Sequence, residues 1–147
     1  MRTVHVPYRG NGPAVADLLA GQVNMMWSSA PPVMDHIRDG RLRLLGLGNA
    51  SRVEQMPEVP TVAESGLPGF EAYSWVGLVA TAGTPAEIVA RLNAEVRAFL
   101  ALPETRARLQ AQGMIPAPTT PEEFGAFIAA EMEKWGAVVR AAGIKPG

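Results

Sequence analysis

Three short apolar runs, separated by turn residues and helix-forming stretches, fill the first fifty residues and limit what this chain can fold into. Residues 3–6 are β-branched and stopped by Pro7, which suits a strand. Arg9, Gly10, Asn11 and Gly12 make a loop. Pro13 then opens a helix with Val15, Leu18 and Leu19 at helical spacing and Gly21 at its stop. Residues 23–27 read as a short buried strand. After Ser28, Ser29 and Ala30, Pro31 and Pro32 open a second helix that passes His36 and ends at Gly40. The third apolar run, 42–47, is bounded by Gly48 and Asn49. Strand, helix, strand, helix, strand with short connections predicts an α/β fold, a parallel or mixed sheet flanked by helices.

The pattern changes beyond residue 50. Pro57, Pro60 and Pro68 leave room only for short helical pieces, one marked by the capping-box spacing of Thr61 and Glu64. Residues 70–80 are the longest strand-like run. From Thr84 onward strong helix formers take over. Thr84, Pro85 and Glu87 spell a capping box ahead of Ile88, Leu92, Val96 and Phe99 on one face. Residues 104–112 predict another helix, closed by Gly113. Thr120, Pro121 and Glu123 repeat the box before a long apolar stripe that ends at Gly143. A boundary near residue 80 therefore divides an α/β part from a mostly helical C-terminal half.

Charge and composition remove several function classes. Thirteen basic residues against fourteen acidic ones leave a net charge of −1, so no nucleic-acid partner is expected. Without cysteine there is no disulfide framework, thiolate nucleophile or cysteine zinc site. No dinucleotide fingerprint, phosphate loop or paired-histidine spacing occurs, so neither cofactor nor metal is expected. The apolar runs fall far short of the roughly 20 residues of a membrane helix. Residues 1–7 show no apolar leader, which predicts a cytoplasmic location for the chain as expressed.

In open α/β sheets ligands sit at the C-terminal ends of the strands. One such loop holds Tyr8, Gly10, Asn11 and Gly12. Its glycines allow close backbone approach, and the helix start behind it directs N–H groups at an anion, although the same residues also make an ordinary turn. The next loop offers Ser28 and Ser29, whose hydroxyls either donate to a carboxylate or cap a helix. A serine hydrolase is the alternative reading. It would combine Ser28 or Ser29 with His36 or His5 and Asp17 or Asp35, but the glycine-flanked nucleophile elbow is absent.

Ordered motifs along the whole chain resemble one family. They include Val4 to Gly10 with Gly12, Pro13 and Ala14, the run Pro57 to Phe70, Trp75 to Leu78, Gly83 to Pro85, Leu92 to Glu95, and Trp135 with Ala141 to Ile144. This pattern resembles the Bug receptors, the solute-binding proteins of tripartite tricarboxylate transporters. The resemblance implies a periplasmic-binding-protein-like fold of two lobes. Such a receptor holds a small carboxylate, catalyses nothing and presents its ligand to membrane permease subunits from the periplasm.

It further implies that the chain is the C-terminal half of such a receptor, incomplete relative to the two-lobe fold. Residues 1–76 would belong to the second lobe and carry the ligand loops; residues 77–147 would be the returning portion of the first lobe. Tyr8, Gly10, Asn11, Gly12, Ser28 and Ser29 would then face the ligand, with Trp75 lining the cleft. Ser28 stands where many members carry Asp, which implies a ligand without an amino group, such as a dicarboxylate or an aromatic carboxylate. Uncovered sheet edges would favour a homo-oligomer or a domain-swapped dimer.

Overall fold

The computed structural model describes residues 3–144. The reading of an absent leader begins on Met1 and Arg2, which lie outside the described residues. Five helices form: α1 (Asn11–Leu19), α2 (Met34–Arg38), α3 (Ala86–Ala101), α4 (Pro103–Ala111) and α5 (Pro121–Ala141). The chain divides into two compact units. One runs to Gly77 and takes back Arg108–Ile115, while the other joins Leu78–Ala107 to the residues from Pro116 onward.

The expected parallel or mixed sheet does not form among the described residues. What remains of it is a single parallel bridge, Leu47 to Thr61. A ladder needs neighbours that supply N–H and C=O partners along its length. Here Leu47 N–H donates to the Pro60 carbonyl at 3.0 Å, Val62 N–H returns a bond to the Leu47 carbonyl, and Ala72 N–H donates to the Gly48 carbonyl. Pro60 has no N–H to give, and the chain turns at once beyond Thr61, so the ladder stops after one rung. The apolar runs persist without that pairing. Val4 is 89% exposed and Val76 87%, which a finished sheet core would not leave.

The first unit packs around Ala14 and Val15 of α1, Val33, Met34 and Val59. Trp27 meets Phe70 edge-on, with ring centroids 5.8 Å apart. Gly113, held at a φ of +71°, closes the returning segment against Ala30 and Met34 so tightly that a Cβ there would lie 2.7 Å from the Ala30 Cβ. The Arg38 guanidinium donates to the Ala111 carbonyl and so ends α4 within this unit.

Thr61 and Glu64 do make the expected reciprocal pair, around a turn instead of a helix. Glu64 N–H donates to Thr61 Oγ1 at 3.1 Å, and Thr61 N–H donates to Glu64 Oε2 at 2.7 Å. Arg52 Nε adds an ion pair at 3.0 Å. The Thr61 N–H and then the Arg52 guanidinium hold the Glu64 carboxyl below its ordinary value of 4.5, with desolvation opposing them in part. A depressed folded-state value means stability that is present above the unfolded value and lost as pH falls through the folded one. The first unit should therefore unfold more easily as pH is lowered below that ordinary value. Unfolding midpoints across an acid series check this. In Glu64→Gln that part of the acid loss should disappear; an unchanged acid slope would remove Glu64 from the account.

In the second unit α3 packs on α5, and Asn93 Nδ2 donates to the Thr119 carbonyl at 2.9 Å. Thr120 starts α5 as expected. Its hydroxyl accepts from Glu123 N–H, and the Glu123 carboxylate accepts from Thr120 N–H. The similar letters at Thr84 and Glu87 behave differently. Pro85 itself occupies the N-cap of α3, and the Thr84 hydroxyl turns back to donate to the Thr81 carbonyl, so no capping box forms there.

Candidate functional site

The candidate site is built at the start of α1. Gly10 is its N-cap with a φ of +109°, a conformation that a side chain strains. Neither a side-chain cap nor an acidic residue occupies the first turn. The helix start thus keeps its donors and its partial positive charge for something else. A Cβ added at Gly10 or Gly12 would meet nothing within 4 Å, so this face of the loop is open.

Two side-chain bonds hold the loop. Asn11 Nδ2 donates to Ser29 Oγ at 3.2 Å, joining the start of α1 to the loop at Ser28 and Ser29. The Tyr8 hydroxyl donates to Asp17 Oδ2 at 2.7 Å, along α1. That bond, with lesser help from desolvation and the Asp17 charge, pushes the Tyr8 phenol above its ordinary value. A phenol has one proton, and here it goes to Asp17; towards any other group the Tyr8 oxygen is an acceptor. Ser28 Oγ donates to the Ser29 carbonyl at 2.8 Å and tightens the second loop.

Of the site residues expected from the sequence, Tyr8 and Gly10 lie just ahead of α1, and Asn11 and Gly12 lie in its first turn, where the sequence predicts loop. Ser28 and Ser29 lie in the next loop, tied to α1 by one hydrogen bond. Trp75 lies 41% exposed near the end of the first unit and takes part in neither tie. The sequence marks Asp17 only as a possible triad acid; the structure adds its bond to Tyr8. The available signal was a tyrosine just ahead of the helix N-cap and an acid two turns into that helix.

Members of the proposed triad are engaged elsewhere. Ser28 bonds backbone, Ser29 accepts from Asn11, and Asp17 accepts from Tyr8. Asp35 pairs with Arg38 at 3.1 Å, and His36 Nδ1 lies 3.4 Å from Arg41. The hydrolase reading gains no support from this geometry. Among the described residues no group of acidic and histidine side chains could hold a metal ion, and no helix is long and apolar enough to cross a membrane.

Comparison with known proteins gives a consistent result. The family model described as "Tripartite tricarboxylate transporter family receptor" matches residues 1–144. The protein BugT of Bordetella pertussis is 40% identical over 95% of this chain and 43% of its own length. Among solved structures, R. palustris Rpa4515 with adipate superposes with a TM-score of 0.88 at 35% identity, over 97% of this chain and 48% of that one. MatC from Rhodopseudomonas palustris with bound malate gives 0.79 at 36% identity, over 91% and 47%. The chain spans about half the length of these relatives. With a match along nearly its entire length, the chain belongs to the receptor family of the tripartite tricarboxylate transporters.

Proposed function

We propose that this chain carries the ligand loops of a solute-binding receptor that takes up a small dicarboxylate reversibly and passes it to membrane permease subunits. The observation that carries the reading is the Asn11–Ser29 bond. It sets two donor-rich loops side by side at a helix start with no acid of its own. Free backbone N–H groups and the helix dipole stabilise a carboxylate there. Arg9, exposed within the same loop, adds positive charge. Ser28 supplies no negative charge, so a ligand ammonium would be left unpaired; this favours acids without an amino group. Adipate and malate in the two structural relatives are acids of that kind.

Residues 1–76 serve in this reading as part of one lobe and 77–147 as the returning part of the other, with Trp75 near the crossing. The receptor works in the periplasm and needs no cofactor. Exposed apolar runs such as Val76 and Val79 supply a surface on which a second copy of the chain can pair.

Calorimetric titration of the 147-residue chain with adipate and with malate tests the reading. Saturable heat with unchanged acid recovered is expected, and glutamate should bind more weakly than either. Silence towards both acids, or ester turnover that disappears in Ser28→Ala or Ser29→Ala, would overturn it. Sedimentation velocity addresses the pairing: a species that stays monomeric at all concentrations would remove the second copy.

A further inference from the structure

We infer that Asp17 is a positioning residue for the ligand loop: by accepting the only proton of Tyr8 it ties the loop back onto α1 and sets Asn11 against Ser29. The inference rests on the receptor reading above and deepens it.

The segment between Tyr8 and α1 is Arg9 and Gly10, with Gly10 at positive φ; neither Gly10 nor Gly12, in the first turn of α1, has a neighbour that a Cβ would touch. Such a segment has much backbone freedom to lose when a ligand orders it. Tethers made beforehand reduce that cost. Two are present. Tyr8 OH to Asp17 Oδ2 is short at 2.7 Å and spans nine positions; Asn11 Nδ2 to Ser29 Oγ is longer, at 3.2 Å. Asp17 lies in α1, whose Ala14 and Val15 are buried, so the tie has a fixed end. The Tyr8 proton is already committed to Asp17, so the phenol has none left to donate to a ligand. An ionised acceptor makes this the stronger of the two bonds.

The test uses adipate as the probe and the 147-residue chain as the protein. Asp17→Ala and Tyr8→Phe should each weaken adipate binding about fivefold, the scale of one net hydrogen bond. The double variant should lose no more than either single one, because both remove the same bond. Asp17→Asn keeps an acceptor for the phenol and should restore most of the affinity, a rescue that loss of bulk packing would not give. The Asn11 side-chain amide resonances should shift in Asp17→Ala and return in Asp17→Asn without any ligand.

Tyr8→Phe removes a single oxygen, so it carries the test if Asp17→Ala fails to fold. Unchanged adipate affinity in Asp17→Ala or Tyr8→Phe would overturn the positioning role and leave the receptor reading standing. Equal weakness of Asp17→Asn and Asp17→Ala would do the same. An unsubstituted chain that ignores adipate and malate overturns both.

Discussion

Gly48→Val should cost the first unit about 3 kcal/mol of stability, the largest loss expected from any single substitution considered for this chain. The reason is space. Gly48 has no positive φ, so a side chain could adopt its backbone conformation. Its surroundings forbid one. A Cβ built there collides with the Ala72 carbonyl oxygen, and it would stand 2.8 Å from Trp27 Cζ2 and 3.0 Å from the Ala72 carbonyl carbon.

The obstacle is main chain, which cannot rotate away as the end of a flexible side chain would. Ala72 N–H is bonded to the Gly48 carbonyl at 2.8 Å, so pushing the two segments apart breaks that bond as well. Trp27 would be driven from its edge contact with Phe70. Gly125→Ala is the contrast: a Cβ there meets nothing within 4 Å inside α5, and it should stabilise by about 0.5–1 kcal/mol through helix propensity. Denaturant unfolding followed by tryptophan fluorescence measures both. A Gly48→Val protein with the unsubstituted midpoint would show that the close approach is not there in solution.

These glycines also show where sequence reasoning reaches its limit. Gly48 reads as a loop residue; that it seats a second backbone segment 24 positions away depends on contacts no local pattern encodes. The sheet fails for a related reason. Residues 3–6, 23–27 and 42–47 have the right composition for strands, yet composition names no partner, and pairing is a property of two segments. Local signals did better. Thr120 and Glu123 cap α5 because their exchange of bonds is complete within four residues. Even so, Thr84 and Glu87 share that spacing and do not pair, since Pro85 takes the cap and Thr81 captures the Thr84 hydroxyl. The two candidate segments are legible from glycine, asparagine and serine content. Their link through Asn11 and Ser29, and the hold of Asp17 on Tyr8, belong to the folded chain.

Thr61→Val should cost about 1–2 kcal/mol, even though valine fills nearly the same volume. Thr61 is fully buried at 0% exposure and makes the bridge to Leu47. Its hydroxyl accepts from Glu64 N–H, and its carbonyl accepts from the Ser65 hydroxyl at 2.8 Å and from Ser65 N–H at 3.1 Å. Valine keeps the packing and both backbone groups but deletes the one acceptor that Glu64 N–H uses. A partly buried donor then loses its partner, and the desolvation cost of that donor is what the measurement should read. Thr61→Ser separates the two contributions: it keeps the acceptor and loses a methyl group, so its cost, of order 1 kcal/mol, reports packing alone. Most of the acid response described for Glu64 should survive in Thr61→Val, because the backbone N–H of position 61 and the Arg52 guanidinium remain and only the smaller contribution of the Thr61 hydroxyl is lost. Equal stability of Thr61→Val and the unsubstituted chain would mean that Glu64 N–H finds water as readily as it finds the hydroxyl, and the turn would then be held by its carboxylate bonds and by the Ser65 bonds to the Thr61 carbonyl.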